Sequence, residues 1–175
     1  MQRETDCKQL AGFDASFSTE RVYRVAIDKM SVTIIDEKLD VPFRKIYSFV
    51  SIKKDIDEAD YAVIAEINEI IAGFATVKYK EWNNRAILTG IFVAKESKGK
   101  GVGRALIEAA INFAKTKSAR CLFVETQNVN YPAIQFYRKN NFEFCGFDSA
   151  LYNPAAVSAN ETAFYFCKIL TRENS

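Results

Sequence analysis

The segment with the most chemistry in its residue types and spacing is Lys98-Gly99-Lys100-Gly101-Val102-Gly103-Arg104. Its glycines alternate where an apolar, strand-like run gives way to a helical pattern. Glycine has no Cβ, so its N–H can turn toward a ligand at close range. A helix start adds N–H groups without intrahelical partners and a partial positive charge. Together these suit an anion such as a pyrophosphate. Lys98, Lys100 and Arg104 crowd a helix end that ordinarily favours acidic residues, and a bound anion would offset that cost. The P-loop spelling G-x-x-x-x-G-K-[ST] is absent, and the spacing G-x-G-x-G is not the dinucleotide fingerprint G-x-G-x-x-G.

Other chemistries are excluded by composition. The 175 residues include no histidine, which rules out Ser-His-Asp and Cys-His nucleophile systems and every His-ligated metal site. Cys7, Cys121, Cys145 and Cys167 form no C-x-x-C pair, so no metal site is expected and the thiols read as free. A net charge of +2 gives no reason to expect nucleic-acid binding. The polar N-terminus is no secretory signal, and no apolar run approaches the roughly 18 residues of a membrane span. The expectation is a cytoplasmic protein with neither membrane nor nucleic-acid partners.

The elements that must position the loop follow from periodicity. Residues 21–27, 32–35 and 39–41 read as strands, with Pro42 disfavouring a central one. Residues 43–52 fit a short helix or an irregular strand. Lys53 to Asp60 is polar and ends acidic, dividing an N-terminal part (1–60) from a more regular core (61–170) within one domain of 1–175. In that core, strands at 61–66, 71–79 and 86–93 are joined by turns at Asn68-Glu69 and Glu81 to Arg85. Gly90, inside the third strand, marks a bulge or a close backbone approach. Residues 102–117 place Val102, Leu106, Ala110 and Phe113 on one helical stripe. A strand at 121–125 follows, then a helix at 131–139 with Pro132 in its first turn. Strands at 142–147 and 163–170 close the chain. The order defines an α/β (α+β) protein with a mixed sheet and packed helices.

Two blocks carry a resemblance. The loop resembles the [QR]-x-x-G-x-[GA] motif of the GCN5-related N-acetyltransferases (GNAT), with Lys98 in place of Gln or Arg. Asn130-Tyr131-Pro132-Ala133-Ile134-Gln135-Phe136-Tyr137 resembles that family's N-x-x-A-x-x-F-Y block, in the right order and separated by one helix and one strand. The resemblance covers roughly residues 61–170. It implies the GNAT fold, a mixed, mostly antiparallel central sheet of six to seven strands flanked by helices. A narrower likeness to the streptothricin acetyltransferase branch rests on Glu81-Trp82-Asn83-Asn84, on Val124-Glu125-Thr126-Gln127-Asn128-Val129-Asn130, on Phe147-Asp148-Ser149-Ala150-Leu151-Tyr152 and on the acidic run before Tyr61. Two departures stand out. Thr89-Gly90 occupies central-strand positions that are usually acidic in that branch, and Asn141-Phe142 replaces Gly-Phe. Asn tolerates the left-handed conformation, so that turn can survive.

The resemblance implies transfer of an acetyl group from acetyl-CoA to a primary amine of a small cationic acceptor, with a streptothricin-like antibiotic as the candidate. The alternatives are a peptide or protein amine, or a CoA-binding module without catalysis. Acetyl-CoA contacts are implied for Ile91, Phe92 and Val93 by their backbone, for residues 98–104, and for Asn130, Ala133, Phe136 and Tyr137. Tyr137 matches the tyrosine that protonates the leaving thiolate. The proton acceptor is open among Glu125, Glu81 and a water relay, with Thr89 a group that could order the water. Asp55, Asp57, Glu58 and Asp60 are candidates for attracting a cationic acceptor, and Trp82 and Tyr152 for lining its cleft. The family's habits also allow a homodimer.

Overall fold

Asn68 and Glu69 both take positive φ, 51° and 64°, the two-residue turn geometry that folds one strand back onto the next. It joins β3 (Tyr61–Ile67) to β4 (Ile70–Lys80) in an antiparallel ladder. The chain is described here by a computed structural model, covering Leu10 and residues 13–47, 49–155, 157 and 161–170. Cys7 lies outside the described residues, and Cys121 is a buried thiol, Cys145 an exposed one and Cys167 half-buried.

A single 3-10 turn, Glu81–Asn83, leads to β5 (Arg85–Val93), which pairs antiparallel with β4. The ladder slips by one residue between Thr76↔Gly90 and Val77↔Leu88, leaving Thr89 as a bulge. The Thr76 and Thr89 hydroxyl oxygens lie 2.8 Å apart, and Thr89 Oγ1 also donates to the Thr76 carbonyl at 3.2 Å. A Cβ at position 90 would come within 3.0 Å of Thr76 Oγ1 and 3.2 Å of the Phe92 ring. A side chain at 90 would therefore crowd the Thr76–Thr89 pair and the Phe92 ring.

The longest helix here, α2 (Val102–Thr116), buries Val102, Leu106, Ile107, Ala110 and Ala114 along one stripe. Its Phe113 ring stacks on Tyr61 with centroids 4.8 Å apart. β6 (Cys121–Gln127) then runs parallel to β5. α3 (Tyr131–Lys139) begins with an Asn130 cap, whose side-chain oxygen accepts the Ala133 N–H at 3.2 Å, and has Pro132 in its first turn. β7 (Glu143–Asp148) and β8 (Ala163–Ile169) complete a six-stranded mixed sheet in the order β3-β4-β5-β6-β8-β7.

The expectation of six to seven strands is met by six, with a separate two-stranded sheet beside the count: β1 (Phe17–Asp28) against β2 (Ser31–Lys45). The two short strands expected at 32–35 and 39–41 are one strand, β2. Its ladder jumps from Arg21↔Lys38 to Thr19↔Phe43, so Pro42 falls where no ladder hydrogen bond is demanded of it. The undecided stretch 43–52 splits between the end of β2 and α1 (Phe49–Asp57).

Contacts group the chain into two compact units that interleave along the sequence, where the sequence reading put one break near residue 60 inside a single domain. Of the described residues, the first holds Ile46–Val124 with Leu10, 13–15 and 168–170, the second Ser16–Lys45 and Glu125–Cys167. The first unit has a core of Leu10, Ile52, Ile71 and Phe74, with Tyr47 and Phe92 packed against it. The second is held by aromatic rings: Phe144 meets Phe164 and Phe166, and Tyr137 meets Phe136, Phe142 and Phe166.

Candidate active site

In the first unit, the loop has the geometry that its glycines suggest. Gly99 and Gly101 take φ of 79° and 85°, with no heavy atom within 4 Å of where a Cβ would stand. The backbone is therefore left-handed at both positions, and the space beside it is open. Ala105 is the first residue to close the helix, its N–H donating to the Gly101 carbonyl at 3.0 Å. Helix geometry then leaves the N–H groups of Val102, Gly103 and Arg104 without intrahelical acceptors at a positive helix end. No side chain caps this end, and its first turn holds no acidic residue. A phosphate fits those donors and that charge. Arg104 is the exception within the loop: its Nε pairs with Glu108 Oε1 at 2.9 Å, on an exposed face, so its charge already has a partner one turn on.

The strand leading to the loop is prepared for a second contact. The β5–β6 ladder runs from Arg85↔Cys121 to Leu88↔Val124, while β5 continues to Val93 paired with β4. Ala94 donates its N–H to the Ala72 carbonyl at 2.9 Å. Alternation along an antiparallel ladder then gives the Phe92 N–H to β4 and turns those of Ile91 and Val93 to the opposite side. Of the three expected backbone contacts, the geometry thus singles out Ile91 and Val93 and commits Phe92 to the sheet. The Phe92 ring packs on Phe74 and Tyr47.

In the second unit, Glu125 lies on β6 and accepts a short hydrogen bond from the Tyr152 hydroxyl. Burial pushes the Glu125 carboxyl above its usual range, opposed by the Tyr152 hydrogen bond and the charge of Lys45, and reinforced by Glu161. Tyr152 also lines a cavity of about 670 Å³ whose walls include Asn128, Glu161 and Thr162. Asn128 staples this region together. Its Nδ2 donates to the Tyr23 carbonyl at 2.7 Å, and its Oδ1 accepts the Thr162 N–H at 2.8 Å. Its backbone N–H and carbonyl bind Thr162 and Tyr23 again. The sequence had paired neither Asn128 nor Glu161 with the site. The Lys45–Glu161 contact spans 116 residues of sequence, so no local signal announces it.

Tyr137 is 5% exposed, its ring held by Phe136, Phe142 and Phe166. Asn141 takes φ of 61°, as its left-handed tolerance allows. The N–H groups of Asn141 and Phe142 donate back to the Arg138 and Tyr137 carbonyls, each at 3.1 Å. This turn closes α3 and seats Phe142 on Tyr137.

Other expected residues are placed elsewhere. Glu81 and Trp82 precede β5, whereas the glycine loop follows its far end, about 25–30 Å away along a nine-residue strand. Trp82 is 85% exposed. The turn is tied into the fold by its last residue: Asn84 accepts from the Tyr79 hydroxyl at 2.8 Å and donates to the Ser118 carbonyl at 2.9 Å. The acidic run is also locally spent. Asp57 pairs with Lys53, Glu58 with Lys78 at 3.4 Å and Lys54 at 3.9 Å, and Asp60 accepts the Tyr79 N–H at 2.6 Å. Thr89 is bound to Thr76 rather than aimed at a water.

A mixed sheet with an interrupted parallel ladder, a glycine loop opening the next helix, and a capped helix after β6 together define an N-acetyltransferase fold. The chain belongs to the acetyltransferase (GNAT) family, which it matches over residues 21–142. It is 35% identical over 171 residues to a streptothricin acetyltransferase of Streptomyces lavendulae, across 93% of this chain and 89% of that protein. Its structure is similar to that of a nourseothricin acetyltransferase, with TM-score 0.85 and 35% identity over 96% of this chain and 95% of that one. A Bacillus anthracis (str. Ames) structure described as a streptothricin acetyltransferase in complex with acetyl coenzyme A matches with TM-score 0.79 and 27% identity, over 97% and 95%. The family and fold that the sequence motifs implied are therefore the ones found.

Proposed function

We propose that this chain transfers an acetyl group from acetyl-CoA to a primary amine of a small cationic acceptor of the streptothricin type. The observation that carries this reading is a half-buried carboxylate, Glu125, held by Tyr152, which lines a cavity of about 670 Å³. The 35% identity to a streptothricin acetyltransferase supports it. Acetyl-CoA would be held by its pyrophosphate at residues 98–104 and along its pantetheine by the outward N–H groups of Ile91 and Val93. Asn130, Ala133 and Phe136 belong to the same reading, although the Asn130 oxygen already caps α3.

The amine nitrogen must carry a lone pair to attack the thioester carbonyl. As the C–N bond forms and the C–S bond breaks, the surplus proton on nitrogen passes to Glu125. Raised by burial, Glu125 is better matched to accept that proton near neutral pH than an ordinary carboxylate. Tyr137 donates its phenolic proton to the departing thiolate, and the aromatic packing holds its ring for that step. Backbone N–H groups stabilise the developing oxyanion. Among the described residues, no helix is long and apolar enough to cross a membrane. Dependence on acetyl-CoA supports a cytoplasmic location.

The test is thiol release from acetyl-CoA across a panel of streptothricins, small diamines and a free peptide N-terminus. Streptothricins should turn over fastest, and Glu125→Gln should cut turnover by about 10²–10⁴. Wild-type turnover in Glu125→Gln, or preference for the peptide, would overturn the reading.

A further inference from the structure

Beside Glu125 lies a charged pair that the reaction as written does not use. Lys45, at the end of β2, is bound to Glu161, with side chains 19% and 1% exposed. Burying such a pair costs desolvation that mutual attraction seldom repays, so the pair is poorly explained as a stabilising device. Its setting suggests another role. Glu161 and Tyr152 line one cavity, and Tyr152 donates its hydroxyl proton to Glu125. Thr162, next to Glu161, is anchored by two hydrogen bonds to Asn128, at 2.8 and 2.9 Å. The Glu161 carboxylate therefore has a fixed backbone, and so has the cation it holds.

Each element around Glu125 contributes a group. The segment after β7 brings Tyr152, β2 brings Lys45, the approach to β8 brings Glu161, and β8 brings Tyr165. Tyr152 and Lys45 favour the ionised carboxylate, and Glu161 opposes it. Tyr165 stays a neutral phenol, held so by burial, Asp148 and Glu125. Arg24, also on the cavity wall, is exposed and paired with Glu37, so solvent and its own partner weaken its charge. Among the described residues, Lys45 is thus the cation near Glu125 that is largely shielded from solvent.

We propose that Lys45, held by Glu161, is a positioning residue whose fixed charge keeps Glu125 ionised as the proton acceptor, next to the cavity that Tyr152 and Glu161 line. This rests on the reading of Glu125 as the proton acceptor. The experiment is the pH profile of kcat/KM for the wild type, Lys45→Met, Lys45→Arg, Glu125→Gln and the double variant Lys45→Met/Glu125→Gln, with thermal midpoints alongside. Lys45→Met should move the acid limb to higher pH by about one unit, the usual scale for losing one close opposite charge. Its kcat/KM should fall about tenfold below the limb and recover on the alkaline side. Lys45→Arg should keep the limb in place, and adding Lys45→Met to Glu125→Gln should shift nothing further. A uniform loss at every pH in Lys45→Met would reduce the pair to a structural one and overturn the proposal. Persistence of the wild-type limb in Glu125→Gln would instead sink Glu125 as the acceptor. Should Lys45→Met fail to fold, Lys45→Gln carries the same comparison.

Discussion

On the proposed reading, the loop at residues 98–104 and the pocket around Glu125 would work with different parts of the chain. The loop works through its backbone: Gly99 and Gly101 hold φ of 79° and 85° with open space beside them, and the helix start supplies N–H groups. Of its cations, Arg104 is already paired with Glu108 on an exposed face. The pocket works through side chains drawn from four stretches of sequence: Lys45, Glu125, Tyr152 and Glu161. The difference predicts which substitutions each can bear. A backbone site fails when a side chain is added, whereas a side-chain site fails when a functional group is removed.

Beside the loss expected for Glu125→Gln, a large effect from removing one group is expected at Tyr137. Tyr137→Phe keeps the packed ring and removes the proton, so turnover should fall by about 10²-fold or more while the Kd for acetyl-CoA stays put. Wild-type turnover would make Tyr137 a packing residue. On the backbone side, Gly101→Glu places a negative side chain in the open space and forces a left-handed φ. Calorimetry should show CoA affinity falling at least tenfold, about 1.4 kcal/mol. Arg104→Ala should change it by less than about threefold, since exposed pairs contribute little. If the two variants weaken CoA equally, the loop binds through side chains and the contrast collapses.

Gly90→Asp would restore a carboxylate to the central strand at the expense of the Thr76–Thr89 pair. Urea unfolding should register a loss of about 1–3 kcal/mol, the scale of an overpacked site. Glu125 offers a pH-dependent test. Its folded value lies above its unfolded one, so its contribution to stability is present at low pH and is lost as pH rises through the raised value. The thermal midpoint of Glu125→Gln should therefore gain on the wild type between about pH 4 and neutrality. A constant difference would mean that burial does not perturb this carboxyl. The smallest effect belongs to the acidic run. Neutralising Asp55, Asp57, Glu58 and Asp60 together should alter acceptor KM by less than about twofold, because three of the four are already engaged with Lys53, Lys54, Lys78 or the Tyr79 N–H. A severalfold, salt-sensitive rise would return this helix to acceptor steering.

Local signals were strong wherever one element carried them. The apolar stripe of Val102, Leu106 and Ala110, the Asn130 cap with Pro132, and the Asn68-Glu69 turn all read correctly, because each depends on residues within a turn or two. The 43–52 stretch read poorly because β2 ends and α1 begins inside it, and no Gly or second Pro marks the change. Glu81 stood beside Glu125 as a candidate proton acceptor because the sequence alone does not say which carboxylate packs against Tyr152.

The amino-acid sequence by itself determined the backbone half of this protein: a glycine-spaced loop between a strand and a helix, with a second block one helix and one strand later. Those features are encoded in φ preferences and helix-end chemistry, which are local. Only the tertiary structure decided the side-chain half. It put Tyr152 on Glu125, tied Lys45 to Glu161 across 116 residues of sequence, and spent the acidic run on nearby lysines and a backbone amide. The physical reason is that a carboxylate's role depends on its burial and on the charges around it, and both are properties of folded neighbours rather than of sequence neighbours.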